Sequence, residues 1–216
     1  MKLKGLKTIF ILNLIFLMVF VGCSPKNDEE LFYESQKLLS NIESYSCEAE
    51  ITVVGNKKPE TYIMKQWFKK PNLYRLEITS PEELKDKTTV SDGSKAWIYH
   101  PRINQTWLLE NFDRTDEQSM FLGYFIKNYI SSEQVEISKK KTEEREYLVI
   151  DTDIPGNHLY FSKERLWLEI DHYKPFKLQV FDAQDNMRIE VKYLDFQYNP
   201  KLPEDIFNIQ MAFKEQ

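Results

Sequence analysis

The sequence predicts an α+β protein in which antiparallel β-strands form most of the fold and two helices pack on the sheet. Three patterns lead to this prediction. Apolar and polar residues alternate along many short segments, turn-forming residues separate these segments, and two longer stretches have apolar residues at helical spacing. A period of two is typical of half-buried antiparallel strands, and a spacing of three or four residues is typical of amphipathic helices.

The strand pattern is clearest where Tyr74, Leu76 and Ile78 alternate with polar residues. It recurs in residues 166–170, 176–180 and 189–193. Residues that tolerate positive φ lie between such segments, at Gly55-Asn56, Asp92-Gly93, Gly156-Asn157 and Ala183-Gln184-Asp185-Asn186. We therefore expect about ten short strands between Tyr45 and Phe196, arranged as a meandering sheet or barrel and not as βαβ units.

Two helices are predicted. The first covers residues 29–41, where Leu31, Leu38 and Ile42 share one face. The second covers Thr115 to Ile130 and begins with Thr115 and Gln118 at the spacing of a capping box. Apolar residues surround most of the second helix, so we expect it to be enclosed by the fold or to fill its interior.

The N-terminus has the pattern of a secretory signal. Three lysines precede an apolar run from Ile9 to Val21, and Gly22 and Cys23 follow it. The run is shorter than the roughly 20 apolar residues that cross a bilayer as a helix. Residues 1–22 are therefore predicted to be a signal peptide and are excluded from the fold.

Gly22 followed by Cys23 resembles the lipobox of bacterial lipoproteins. This resemblance implies that a diacylglyceryl group is attached to the Cys23 thiol and that the chain is cut before it. Residues 23–28 would then form the lipidated cysteine and a short tether, and residues 29–216 the domain. Acyl chains on a single residue can hold a protein at the outer face of a membrane, so anchoring needs no basic protein surface. The alternative is a free thiol at the end of an uncleaved anchor.

The charge of the mature chain argues against a nucleic-acid partner. Removal of residues 1–22 takes away three lysines and no acidic residue, so the net charge falls from −5 to −8. Cys47 then remains as the second cysteine, and we expect it to be a small buried residue in a strand. An exposed Cys47 could instead pair between two chains, which leaves a dimer open.

No catalytic motif is visible, so the sequence predicts a protein that is not an enzyme and has no catalytic residues. The chain lacks a phosphate-binding glycine loop, a nucleophile elbow and a zinc-protease helix motif. His100, His158 and His172 look like loop or edge residues. Their spacing gives no support to a metal site with Asp171, so neither a metal nor a cofactor is expected beyond the lipid on Cys23.

Aromatic residues make up 14% of the chain, and all four tryptophans fall in predicted strands. We expect most of them in the core. Where both faces of a strand are apolar, as in residues 97–99 and 166–168, a second buried surface is implied: an interior cavity, a covering helix or a partner-binding patch. The candidate cavity or partner-contact residues are Trp97, Trp107, Phe121, Tyr124, Phe125 and Trp167. The charged run 139–146 is expected to be a solvated hairpin tip, with a charged docking loop as the alternative.

Five segments resemble the LolA/LolB lipoprotein-carrier superfamily: KPNLYRLE at 70–77, VSDGSKAWIY at 90–99, LWLEI at 166–170, YLDF at 193–196 and LPEDIF at 202–207. The resemblance covers nearly the whole mature chain. It implies a strongly curved antiparallel sheet, a half-open barrel whose concave side is covered by helices. In the carriers this side encloses an apolar cavity that receives acyl chains.

Within this superfamily, the size, the lipobox and the Lys- and Ile-rich composition are most similar to germination lipoproteins of the GerS type. This resemblance implies a membrane-anchored regulator that binds and activates a cell-wall N-acetylmuramoyl-L-alanine amidase in the spore cortex. The alternative is a lipid or lipoprotein carrier or sensor with an apolar cavity. Direct hydrolysis of peptidoglycan has the least support, because no nucleophile, metal set or distinctive acid pair is evident.

Overall fold

The computed structural model describes residues 27–55, 57–112, 117–156, 159–203 and 205–208. These residues form helices α1 (Asp28–Ser40) and α2 (Leu122–Ser131), and short 3-10 helices at Glu82–Leu84, Pro101–Ile103 and Gln118–Met120. The eleven strands are β1 (Ser44–Val53), β2 (Glu60–Lys69), β3 (Leu73–Ser80), β4 (Thr88–Ser91), β5 (Ala96–His100), β6 (Gln105–Leu109), β7 (Val135–Lys141), β8 (Glu146–Asp153), β9 (Lys163–Glu169), β10 (Lys174–Phe181) and β11 (Met187–Tyr198).

Several sequence-based predictions fall outside these ranges. The signal peptide 1–22, the lipidation site Cys23, Thr115 of the capping box and His158 are not among the described residues. Within the described ranges, no helix is long and apolar enough to cross a membrane.

All strands belong to one antiparallel sheet in the order β6-β5-β4-β3-β2-β1-β11-β10-β9-β8-β7. Two meanders, β1–β6 and β7–β11, are joined by the pairing of β1 with β11. The predicted curved α+β sheet is confirmed, and the sheet stays open. Because β6 and β7 follow each other in the chain but lie at opposite edges, the segment between them must cross the sheet, and α2 lies in that segment.

The alternation of residues separates an inner face, covered by the helices, from an outer face. Tyr45 on β1 lies opposite Phe68 on β2, and Phe68 lies opposite Tyr74 on β3; all three are buried on the inner face. The ring of Tyr45 stacks on Phe68 at 5.5 Å and on Phe196 at 5.0 Å between centroids. Burial of such large apolar rings contributes most of the driving force for this layer.

Helix α1 has the predicted position and packs on the inner face through Leu31, Leu39 and Ile42. Its start is fixed by a capping box. The Asn27 side chain accepts a hydrogen bond from the Glu30 backbone N–H at 2.7 Å, and the Glu30 carboxylate accepts one from the Asn27 N–H at 3.3 Å. These bonds satisfy backbone donors that would otherwise have no partner in the first turn.

Helix α2 starts later than predicted. The predicted helix begins at Thr115, whereas the α-helix begins at Leu122 and follows the 3-10 helix Gln118–Met120. Phe121 between them is extended, with φ −105° and ψ 128°, and its ring packs on Tyr74 at 4.3 Å. The tertiary contact of Phe121 therefore interrupts a helix that the local pattern would continue. The expected enclosure of α2 is confirmed for Leu122, Phe125, Ile126 and Tyr129.

The contact between α2 and the sheet depends on Gly123. A Cβ atom at Gly123 would lie 2.1 Å from Cζ of Phe68, much closer than two carbon atoms can approach. One residue earlier, the Leu122 N–H donates a hydrogen bond to the Tyr45 hydroxyl at 3.0 Å, which replaces a capping side chain. The missing side chain of Gly123 thus lets the first turn of α2 rest on the aromatic layer.

The tryptophans do not lie in the core, and the expectation that most of them would is wrong. Trp67, Trp97 and Trp167 alternate with inner-face residues and therefore point to the outer face, where they are partly exposed. Neighbouring strands cover Trp167: its indole N–H donates to Gln179 at 3.0 Å, and the Lys177 ammonium lies 4.8 Å above its ring. Side chains of the neighbouring strand thus cover part of the apolar outer surface at residues 166–168.

Replacement of Gly123 by alanine is expected to destabilise the protein. Alanine favours a helix by about 1 kcal/mol over glycine, but overpacking against the fully buried Phe68 should cost about 1 to 3 kcal/mol or more. Urea unfolding should show a lower free energy of unfolding for Gly123→Ala than for the unchanged protein. Gly55→Ala is the control, because no atom lies within 4 Å of its added Cβ. Equal stability of the two variants would contradict the proposed contact.

Candidate partner-binding edge and polar cavity

The edge strand β6 is an exposed apolar strand. All five of its residues are exposed, including Trp107 at 41%, Leu108 at 48% and Leu109 at 39%, and its sequence QTWLL has no charge. By register, Trp107 and Leu109 lie on the inner face and Leu108 on the outer face. An edge strand leaves one row of backbone N–H and C=O groups unpaired within the sheet, so β6 offers both hydrogen bonds and apolar side chains to another strand.

The opposite edge has different chemistry. Strand β7 has the exposed residues Glu136, Lys139, Lys140 and Lys141, and only Val135 and Ile137 are partly buried. Charged side chains, lysine above all, protect an edge against pairing with other chains. The run 139–146 forms the predicted solvated hairpin between β7 and β8. The two edges therefore differ in a way that favours β6 as the contact surface.

The predicted candidate residues do not form one cluster. Phe121 and Phe125 are fully buried beneath the sheet's inner face, and Tyr124 packs edge-on against Phe68 and Tyr74. Trp97 and Trp167 lie on the outer face, and Trp107 lies on β6, where its ring is 6.4 Å from that of His100. Phe121 and Phe125 fill the centre of the inner face.

A polar cavity of about 380 Å³ lies between α2 and the β8–β9 connection. Glu164 at the start of β9, Asn128 and Tyr124 on α2, and Phe161 line it. Further lining residues are Asn72, Gly93, Gln118, Ser119, Lys127, Ser131, Ile154, Pro155 and Gly156. The sequence does not reveal this site, because Glu164 lies in the strand pattern KERLWLE, in which a charged residue suggests solvent exposure.

Glu164 is an unusual residue in this cavity. It is 1% exposed and accepts one hydrogen bond, from the Asn128 side-chain amide at 3.1 Å. Burial raises the pKa of its carboxyl group to about 7, and the hydrogen bond from Asn128 opposes this only in part. Within the described residues, the buried hydroxyls of Tyr124, Thr152 and Tyr193 have no hydrogen-bond partner, and Thr152 lies directly opposite Glu164 on β8.

A second cavity, of about 410 Å³, lies between α1 and the end of β11. Leu38 and Ile42 of the α1 region, Tyr173 of the β9–β10 turn and Tyr198 of β11 line it. Glu34 and Lys37 are its charged lining residues. Its lining is more apolar than that of the cavity beside Glu164. It is the more suitable of the two for a hydrocarbon group.

The remaining reactive residues are dispersed. His100 lies at the end of β5 and His172 lies in an exposed turn next to Asp171. Among the described residues, no group of three or more His, Cys, Asp or Glu side chains is placed to hold a metal ion. Cys47 is buried on the inner face, as predicted, and burial raises the pKa of its thiol.

The open antiparallel sheet with a helix across its inner face is a fold that other solved structures share. A putative outer membrane lipoprotein-sorting protein domain from Vibrio parahaemolyticus superposes with a TM-score of 0.52, over 86% of this chain and 97% of that chain, at 12% identity, which shows the fold alone. The family model of YdcC-like sporulation proteins matches residues 3–207. The chain therefore belongs to the YdcC-like sporulation protein family.

Individual relatives agree with this assignment. The sporulation protein YdcC of Bacillus subtilis (strain 168) is 18% identical over 215 residues, which are 96% of this chain and 61% of that protein. An outer-membrane lipoprotein carrier protein of Actinobacillus pleuropneumoniae is 34% identical over 92 residues, 42% of each chain. The chain thus spans less than two thirds of the length of these relatives.

A solved structure matches with a higher sequence identity than the two relatives above. The GerS lipoprotein, from the structure of the CwlD amidase of Clostridioides difficile in complex with GerS, is 36% identical, and the match covers 81% of this chain and 98% of that chain with a TM-score of 0.49. The superposition itself carries no weight at this score, whereas the sequence identity extends over nearly the whole of that chain. The resemblance to GerS-type and LolA-like proteins is confirmed.

The raised pKa of Glu164 predicts a specific pH dependence of stability. Because the folded carboxyl group titrates near 7 and the unfolded one near 4.5, the folded state holds the proton more tightly, and stability falls as the pH rises from about 4.5 to 7. The loss should approach about 3 kcal/mol. Glu164→Gln should not show this pH-dependent loss of stability. Urea unfolding of both proteins across the pH range measures it; parallel pH profiles would contradict the assignment.

Proposed function

We propose that this chain is an extracytoplasmic lipoprotein that binds a cell-wall N-acetylmuramoyl-L-alanine amidase and promotes its action on the spore cortex during germination. The observation that supports this most is the 36% identity over 98% of GerS, a lipoprotein solved in complex with an amidase. Membership of the YdcC-like sporulation protein family supports a role in spore-forming cells. Because fold alone does not specify function, the sequence relation carries more weight than the LolA-like architecture.

In this proposal the chain does no chemistry itself. The amidase cleaves the bond, and the lipoprotein determines where and in which conformation the amidase acts. A lipid on Cys23 would hold the complex at the membrane surface, since α1 begins at Asp28, only a few residues after the anchor. The short tether would keep the bound amidase close to the membrane.

The β6 edge (Gln105–Leu109) is the surface that we propose for the amidase. A partner strand that pairs with β6 would satisfy the unpaired backbone groups, and side chains on its two faces would cover Trp107 and Leu108. The lysines of β7 disfavour the same mode of binding at the other edge. A second copy of this chain is the competing occupant of β6.

Substitutions on β6 test this surface. Trp107→Ala should weaken the amidase complex about 30-fold, which corresponds to the loss of about 2 kcal/mol at a hot-spot residue. Leu108→Lys should also weaken the complex, because the lysine ammonium group would lose water in the interface. Leu194→Lys is the matched control, because Leu194 on β11 is 45% exposed and Leu108 is 48% exposed. The measurements are the Kd of the full chain in detergent with a cortex amidase and the amidase activity on cortex peptidoglycan.

Four outcomes are decisive. Loss of binding and activation in both β6 variants, with Leu194→Lys unchanged, supports the proposed surface. Binding that survives both β6 changes rejects the surface and keeps the amidase as partner. An absence of any complex with the unchanged chain rejects the proposed function itself. A change of oligomeric state in the β6 variants alone would assign the edge to a second copy.

Lipid binding is a second candidate function, favoured by the 410 Å³ cavity lined by Leu38, Ile42, Tyr173 and Tyr198. The full chain purified from membranes should then contain a non-covalent lipid that solvent extraction and mass spectrometry detect. Leu38→Trp, which would fill the cavity, should lower the amount of this lipid, and Tyr33→Trp on the exposed side of α1 is the control. The absence of such a lipid from the unchanged protein would reject this candidate.

A further inference from the structure

We propose that the cavity beside Glu164 binds a small polar ring compound with a cationic amine, the chemistry of an amino sugar. This site is independent of the amidase proposal, since it is formed by α2, β9 and neighbouring connections and not by β6. Its volume of about 380 Å³ is within the range of small-molecule sites.

The carboxylate of Glu164 selects for the cation. Among the polar residues that line the cavity it is the most buried, and the Asn128 amide is its one hydrogen-bond donor in the described part of the chain. The charged residue Lys127 also lines the cavity, but it lies on the exposed side of α2 and forms no ion pair with Glu164 within the described residues. A buried carboxylate needs a cation or several donors, and a ligand ammonium group supplies both.

The neutral lining indicates a ligand with hydroxyl groups. Tyr124 lines the cavity, and its buried hydroxyl has no partner among the described residues. Asn72 and Ser119 add amide and hydroxyl groups that can donate and accept. A simple alkylamine would pair with Glu164 and leave the Tyr124 hydroxyl without a partner, whereas a sugar ring presents hydroxyls in several directions.

The apolar part of the lining fits the faces of such a ring. Tyr124 and Phe161 contribute aromatic surface, and Ile154 and Pro155 contribute aliphatic surface. Pockets that combine apolar walls with a few placed polar groups orient a ligand through those groups while the walls exclude water. A pyranose ring has C–H groups on its faces and hydroxyls on its rim, so it matches both kinds of surface.

The test compares three sugars on the full chain in detergent micelles. Glucosamine carries the cationic amine, N-acetylglucosamine has a neutral amide in the same place, and glucose has a hydroxyl. Isothermal titration calorimetry or ligand-observed NMR should give a Kd on the order of 1 mM or tighter for glucosamine. The two neutral sugars should bind at least about tenfold more weakly, because they lack the charge-assisted hydrogen bond.

Two variants localise the binding. Glu164→Gln keeps the size of the side chain and should abolish the preference for glucosamine, and Tyr124→Phe should weaken glucosamine about tenfold through loss of one hydrogen bond. Glu136→Gln, on the exposed edge strand β7, removes the same charge elsewhere and is the control. Thermal unfolding verifies that each variant is folded. If Glu164→Gln does not fold, Tyr124→Phe still tests the site.

Three results would overturn the proposal: no binding of glucosamine to the unchanged protein, equal binding of all three sugars, or undiminished binding in the folded variants at Glu164 and Tyr124. Selective binding that both variants weaken and Glu136→Gln preserves would establish the site.

Discussion

The contact of Gly123 with the ring of Phe68 holds α2 against the sheet, and the rest of the architecture depends on it. The sheet is open, its two edge strands are consecutive in the chain, and the connection between them has to cross the inner face. A Cβ at Gly123 would lie 2.1 Å from Phe68. Only with glycine there can the helix approach closely enough for Phe121 and Phe125 to complete the core.

This packing also determines where function can be located. Phe121 and Phe125 occupy the centre of the inner face, where the resemblance to the carriers would imply an apolar cavity. In the described part of the chain, the candidate surfaces are then the β6 edge and the cavities beside Glu164 and α1. A LolA-like sheet whose interior is filled is better suited to hold a partner at its edge than to shuttle a lipid.

Much of the fold could be predicted from the sequence, because alternation and turn residues are local signals. The strands, the helix α1 and the burial of Cys47 follow from such signals. The start of α2 could not be predicted, since the break at Phe121 results from its contact with Tyr74. Nor does alternation tell which face is inner, so it cannot assign Trp67 and Trp167 to the outer face. Strand order, which makes β6 an edge, and the cavity beside Glu164 are both products of tertiary structure.

Glu164 shows why a buried group can indicate a site better than a motif does. A glutamine would fill the same space and accept the same hydrogen bond from Asn128 without the cost of burying an ionisable group. Above its pKa of about 7, the carboxylate is charged and destabilises the empty fold. Any ligand that donates a cationic hydrogen bond there would offset this cost, and its binding would stabilise the folded state by mass action. The cost of burying the Glu164 carboxylate and the affinity of the cavity for a cation would then both result from the same buried charge.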